Sequence, residues 1–275
     1  MVLETILSPR CARKQPYKLL FVTMLFFSAG VLVYLAIPGL NGTPLIFTLL
    51  PFMPLMFRML IWEEKEEEAQ LRRHESGFFD YHKVLLESYA YIFVGAILAS
   101  MIWYGVLMQV SPEIAHNAFE NEVQEIVAIS NTVNQSSAST ANVLRSDFFD
   151  FFGFLFGHNI QVLALMLLFS LLYGVGSLYL LLWNASVIGI FIAQRVFELG
   201  IINGLLGSFL GLLPHGMFEL SAYFVASIAG GIFSVAVMRR HLERPELRKV
   251  LLDSFFLLLL SVGLVFIGAL IESSY

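Results

Sequence analysis

The chain has 275 residues, 58% of them hydrophobic and only 13% charged, where a soluble domain carries about 25% charged residues; an ordinary soluble fold is excluded. The net charge of −5 is spread over separate segments, with no basic tract of the kind that binds nucleic acid. The single cysteine, Cys11, excludes an internal disulfide and a cysteine-rich metal centre, and no cofactor motif is present.

Residues 1–18 carry Arg10, Arg13, Lys14 and Lys18 with no acid after Glu4, a cytoplasmic signal under the positive-inside rule. The first apolar run is too long for a cleavable leader and lacks a small-residue cleavage site. It predicts a spanning helix over Leu19–Ile37, since about 20 residues cross a hydrocarbon core. Pro38-Gly39 and Asn41-Gly42 make a turn, and Pro44–Trp62 returns the chain, with kinks expected at Pro51 and Pro54. Residues 1–62 thus read as a basic segment and transmembrane hairpin, and 63–88 as a charged cytoplasmic linker. His74 and His82 lie there among acids. A metal site from Glu66, His74 and His82 is one reading; a solvated charged face is the commoner one.

A third span is expected over Tyr89–Met108. Residues 111–157 follow as an external loop, with Ser111-Pro112 as a helix start. Ile114, Phe119, Val123, Ile126 and Val127 give that helix a loose apolar face. The polar run Ser130–Asn142 cannot bury a core and is expected to be mobile. The Phe-rich stretch Ser146–Asn159 reads as a helix lying in the outer interface, with a partner-docking surface as the alternative.

A fourth span is expected over Ile160–Trp183. Asn184 then caps a short fifth segment, Ala185–Leu199, followed by glycines at 200, 204, 207 and 211. Either that segment and the glycine-rich half form one broken crossing, or they form a re-entrant hairpin; the charge rule favours the broken crossing. Both readings place Arg195, Glu198 and Asn203 in a protected interior or at an interface. A sixth span, Phe218–Met238, ends at five cations between Arg239 and Lys249, a cytoplasmic signal. A last span covers Val250–Ile271. The expected fold is all-α: a polytopic transmembrane bundle of about seven spans with one broken or re-entrant helix, the N-terminus cytoplasmic and the C-terminus outside. The core is residues 89–275.

The stretch Leu213–Gly231, LPHGMFELSAYFVASIAGG, organises this core. Pro214 is expected to break the helix, with His215, Gly216 and Glu219 at the mouth of the next one. There Glu219 either pairs with Arg195 between helices or joins a polar site for an ion or solute; an intramembrane carboxylate is a candidate site by default. Ala222, Ala226 and Gly230 recur every four residues, spacing that lets helix backbones approach. His215 and Glu219 lack a second histidine at H-E-x-x-H spacing. Ser221 and Ser227 lack a nucleophile elbow. No catalytic residue is therefore expected, and Asn159 and Asn184 read as helix-end caps.

The segments HNIQV (158–162), GVGSLYLLLWNASVIG (174–189) and the P-H-G-x-x-E-L run resemble the stage II sporulation protein M family of integral membrane proteins. Asn159, Asn184, Gly189, Pro214, His215, Gly216, Glu219 and Leu220 match its pattern; Ala185 stands where glycine is common. The resemblance covers about residues 75–275 and sets the first hairpin apart as an archaeal-type extension. It implies a non-enzymatic membrane scaffold that recruits envelope proteins through the 111–157 loop or the cytoplasmic segments; the small-residue faces point to a second copy of the chain as a further partner, in a homodimer. A channel or transporter using Arg195, Glu198, His215 and Glu219 is the alternative.

Overall fold

The computed structural model describes residues 14–37, 39–40, 43–73, 78–139, 146–238 and 245–274. They form α1 (Lys18–Ala36), α2 (Thr43–Arg73), α3 (Phe78–Val110), α4 (Pro112–Ala118), α5 (Glu120–Ser139), α6 (Ser146–Tyr173), α7 (Ser177–Leu199), α8 (Ile201–Met238) and α9 (Pro245–Glu272), with no strand among them. Seven of these helices are long and apolar enough to cross a membrane. Helices satisfy every backbone group within their own segment, which is why lipid admits them.

Close contacts fix the relative directions. Gly95 of α3 lies against Leu20 and Thr23 of α1, and eight residues on Trp103 donates to Ser28 Oγ at 2.8 Å, so α1 and α3 are parallel. Gly189 of α7 lies on Ile97 and Ser100 of α3, and Gln194 donates to Tyr104 Oη at 3.2 Å, so α7 runs with them. Gly230 of α8 lies against Ser170 of α6, and Asn159 reaches Glu219, so α6 and α8 are parallel. Gly268 of α9 meets Glu219 and Glu272 faces His215, so α9 runs against α8. Of the spans, α8 is the central one: 72% of the window Pro214–Val237 is buried, against 28–44% elsewhere.

The first three spans stand near where hydropathy places them: Lys18–Ala36, Pro44–Trp62 and His82–Val110. Helix α2 runs on through Pro51 and Pro54. The fourth and fifth spans differ from expectation. The Phe-rich stretch is the first half of α6 and enters the bundle directly, so the fourth span is Phe151–Tyr173. It stops at Gly174, whose φ of +68° is open to glycine and costly for other residues. The fifth span then starts at Ser177, not Asn184, and its 23 residues reach ~34 Å at 1.5 Å per residue, a full crossing. Asn184 caps nothing: inside α7, its Nδ2 donates to Leu180 O at 2.8 Å.

The chain breaks at Gly200 (φ +80°) and not at Pro214, which lies inside α8. Gly204 sits on Arg195 and Val196 near the end of α7, while His215 faces Glu272 at the end of α9. The intervening run, ~16 Å by helical rise, therefore links the ends of two spans. Its Ile201, Ile202, Phe209 and Leu210 are exposed.

The segment after α3 is no separate external loop. Ser111 caps α4 by accepting from Ile114 N at 3.5 Å, with Pro112 at the first helical position. The chain then turns back into the bundle. Phe119 is buried, its ring 6.3 Å from that of Phe27 and 5.9 Å from that of Tyr104. One turn on, Glu122 is buried and accepts from Ser186 Oγ at 3.1 Å. Ser186 is nine residues into α7 and thirteen from its end (186 − 177 and 199 − 186), ~14 and ~20 Å. That is mid-depth of the span. Ile126 is buried on the same face, whereas Ile114 and Val127 are exposed. Helix α5 continues to Ser139; residues 140–142 of the polar run lie outside the described residues.

Candidate functional site

A polar cluster gathers where α6, α8 and α9 meet. On α8, His215, Glu219 and Tyr223 follow at four-residue spacing, so they form one stripe. Asn159 of α6 bridges two of them. Its Nδ2 donates to Glu219 Oε1 at 2.5 Å, and its Oδ1 accepts from Tyr223 Oη at 2.8 Å. His215 Nε2 stands 3.9 Å from Glu272 Oε1 of α9. Gly268 makes room: a Cβ there would come 2.9 Å from Glu219 Cγ and 3.4 Å from His215 O. Glu219 and Glu272 are close enough to repel one another, and His158 is a second charge partner of Glu272.

The cluster is graded in depth. His158 is exposed, the His215 and Glu272 side chains are partly exposed at 18% and 27%, and Asn159 and Tyr223 are buried. Two carboxylates and two imidazoles can exchange protons or attract a cation from the open side. A lone charge inside the spanning region is expensive and persists where it is paired or wetted; here every charge has a polar neighbour. No group of three or more His, Cys, Asp and Glu able to hold a metal ion occurs among the described residues.

The residues expected to join His215 and Glu219 divide sharply. Arg195 and Glu198 pair with one another, Nη1 to Oε2 at 3.3 Å, with side chains 43% and 60% exposed. Arg195 does not reach Glu219. Asn203 is exposed as well. Pro214 and Gly216 lie within α8 beside the cluster, so Glu219 is five turns into that helix and not in its first turn. Asn159 is a bridge and not a cap. Ala222 and Ala226 are fully buried, and a Cβ at Gly230 would meet Ser170 Cβ at 2.6 Å; this face is occupied within the chain. Ser227 Oγ donates to Tyr223 O at 2.7 Å, a backbone role. His82 is buried at the start of the third span, while Glu66 and His74 lie outside the residues whose side chains are described.

Sequence reasoning missed Tyr223, Glu272 and Gly268 here, and Glu122 with Ser186 at mid-depth. Tyr223 carries a signal in its spacing from Glu219. Glu272 is an acid at the end of a long apolar span, a signal of an end without its partner. Burial raises the carboxyl of Glu122 above its ordinary range, opposed by its backbone amide and by Ser186 Oγ.

A relative from Methanocaldococcus jannaschii, an uncharacterized protein, is 29% identical over 152 residues, which cover 53% of this chain and 82% of the relative. No solved structure matches. The stage II sporulation protein M profile matches residues 20–274, and so takes in the N-terminal hairpin that the resemblance had set apart. With nearly the whole chain matched and the P-H-G-x-x-E-L run opening the central span, this membrane protein belongs to the stage II sporulation protein M family.

Proposed function

We propose that the protein binds and passes a proton or small cation, with the cluster of His158, Asn159, His215, Glu219, Tyr223 and Glu272 as its entry site. The observation that carries this reading is the pair of carboxylates on adjacent spans, Glu219 and Glu272, with His215 between the helices. A purely structural clamp needs no ionisable group, because an asparagine or serine joins membrane helices more cheaply. The recruitment surface that a scaffold would use is also reduced, since Phe119, Glu122 and Ile126 are drawn into the bundle.

Purified protein in liposomes should dissipate an imposed pH gradient faster than empty vesicles, read with an entrapped pH-sensitive dye. Glu219→Gln should lower that rate about tenfold or more while the melting temperature stays within a few degrees; the substitution keeps the shape and removes the charge. Wild-type rates equal to those of empty vesicles end this reading. The second reading is a scaffold for envelope proteins, dimeric through Gly207 and Gly211, which are open on their outer side. It is favoured by the Asn159 bridge, a rigid tie between α6 and α8. It expects Glu219→Gln to change stability and partner recovery with no flux to lose.

The cations flanking the chain orient it. Residues 10–18 and 239–249 hold the basic clusters and fall on one side when seven spans are threaded, so this reading places the N-terminus in the cytoplasm and the C-terminus outside. In intact cells a membrane-impermeant thiol reagent should label Ala141→Cys and leave Cys11 unlabelled. The opposite pattern inverts the topology.

A further inference from the structure

A second ionisable group stands apart from the entry cluster. Glu122 is 6% exposed and level with the middle of α7, carried there by a chain that has already left the third span and turned back. Nothing in the outer cluster touches it. Its face of α5 also carries Phe119 just before the helix and Ile126 one turn on, both buried, so the carboxyl is docked along with an apolar stripe. Around it, Asn121 and Gln124 are exposed. The carboxyl of Glu122 is thus sealed on the inner face while its polar neighbours point outward.

We propose that Glu122 is a proton-binding site at mid-depth of the bundle, and that its proton holds α5 docked against α7. The donors that serve it are Ser186 Oγ and its own backbone amide. A metal cation is the poorer ligand: calcium takes 6–8 oxygens and magnesium demands an octahedron, and no metal-holding group occurs among the described residues. A proton needs only the carboxyl itself. Tyr179 is the titratable group that faces it from α7; Arg195 and Glu198 are at the far end of that helix, paired and exposed. On its own element are Glu120, hydrogen-bonded by Gln124, and Glu125. From α4 come the exposed Glu113 and His116, the latter ring against Tyr104. The described side chains of α6 add His158, in the outer cluster, and Tyr173.

The linkage has a definite sign. The docked carboxyl titrates above its ordinary value, so docking is fully stable below about pH 4.3, the free glutamate value. It weakens as pH rises toward the docked value, about tenfold per unit, and levels off above it. Dissociation gives a carboxylate and a proton taken up by water; no other reactant is needed.

Hydrogen exchange on the full chain in lipid nanodiscs tests this. Amide protection over residues 122–131, corrected for the intrinsic pH dependence of exchange, should fall about tenfold per pH unit in that window. Glu122→Gln should hold protection constant with pH. Ser186→Ala keeps the carboxyl and removes a donor that favours the charged form, so it should move the upper limit of the window to higher pH, and it serves if Glu122→Gln fails to fold. Glu219→Gln should leave the profile unchanged, which separates this site from the entry cluster. Protection independent of pH in the wild type, or the same slope in Glu122→Gln, overturns the proposal.

Discussion

Gly189→Val should leave almost no folded protein. At this position α7 lies directly on α3, and a Cβ would fall on Ser100 Oγ and on the carbonyl oxygen of Ile97. The serine can rotate; the carbonyl is part of a helix and cannot. The two spans would have to separate, which also pulls Gln194 from Tyr104 and loosens the seat of Phe119 beside Tyr104. Overpacking a tight core costs about 1–3 kcal/mol, occasionally more, and a branched side chain against backbone belongs at the upper end. Gly189→Ala should be milder, and Ser100→Ala should not rescue the valine variant, because the obstacle is backbone. Size-exclusion profiles and thermal melts in mild detergent decide the matter. A valine variant that elutes and melts like the wild type would show that the α3–α7 contact is looser than described.

Asn159→Leu should be the next most damaging change. The asparagine gives one bond to Glu219 and receives one from Tyr223, so its removal strands two groups that lie among apolar helices. A single bond between membrane helices is worth about 0.6 kcal/mol. An orphaned buried polar group costs about 1–3 kcal/mol, so two of them bring the expected loss to roughly 2–6 kcal/mol. Asn159→Leu combined with Glu219→Gln should lose less than the sum of the two, since the glutamine removes the charge that the leucine stranded. Reversible unfolding in detergent measures this coupling, for which about 0.5–3 kcal/mol is typical of residues in contact. Strict additivity would mean that Asn159 and Glu219 do not act together.

Much of the architecture is legible in the sequence, and the misses have physical causes. The first three spans and the last one are apolar runs bounded by charge or by Pro-Gly and Asn-Gly turns, and hydropathy locates these well. The fourth boundary is lost because Gly174-Val175-Gly176 is apolar: hydropathy does not dip there, and a positive φ leaves no mark on composition. Two aspartates, Asp147 and Asp150, made the entry to α6 look like a surface segment. Asn184 has the chemistry of a cap, but bonding to Leu180 O inside a helix satisfies it equally well.

The site was half legible. His215 and Glu219 stand out as ionisable residues in an apolar run, and their partners do not. Asn159 is 60 residues away and Glu272 is 53 away (219 − 159 and 272 − 219), and only the arrangement of α6 and α9 around α8 brings them in. Arg195 and Glu198 show their mutual spacing in the sequence, but not that they face outward. Glu122 is the hardest case. It sits in a polar segment with the composition of an external loop, and only the burial of Phe119 and Ile126 on the same face explains its depth.

The course of α8 through Pro214 has a mechanical consequence. His215, Glu219 and Tyr223 ride on one uninterrupted rod, with Ala222 and Ala226 set flush against its neighbours. No joint separates the three polar groups, so they can shift only in unison, by a twist or a slide of the entire shaft. Pro214 lacks an amide and so drops one rung from the ladder just ahead of them; flexing of the apolar arm from Ile201 to Leu212 is absorbed there. The bilayer can tug on that arm, and the gear teeth beyond it stay in mesh.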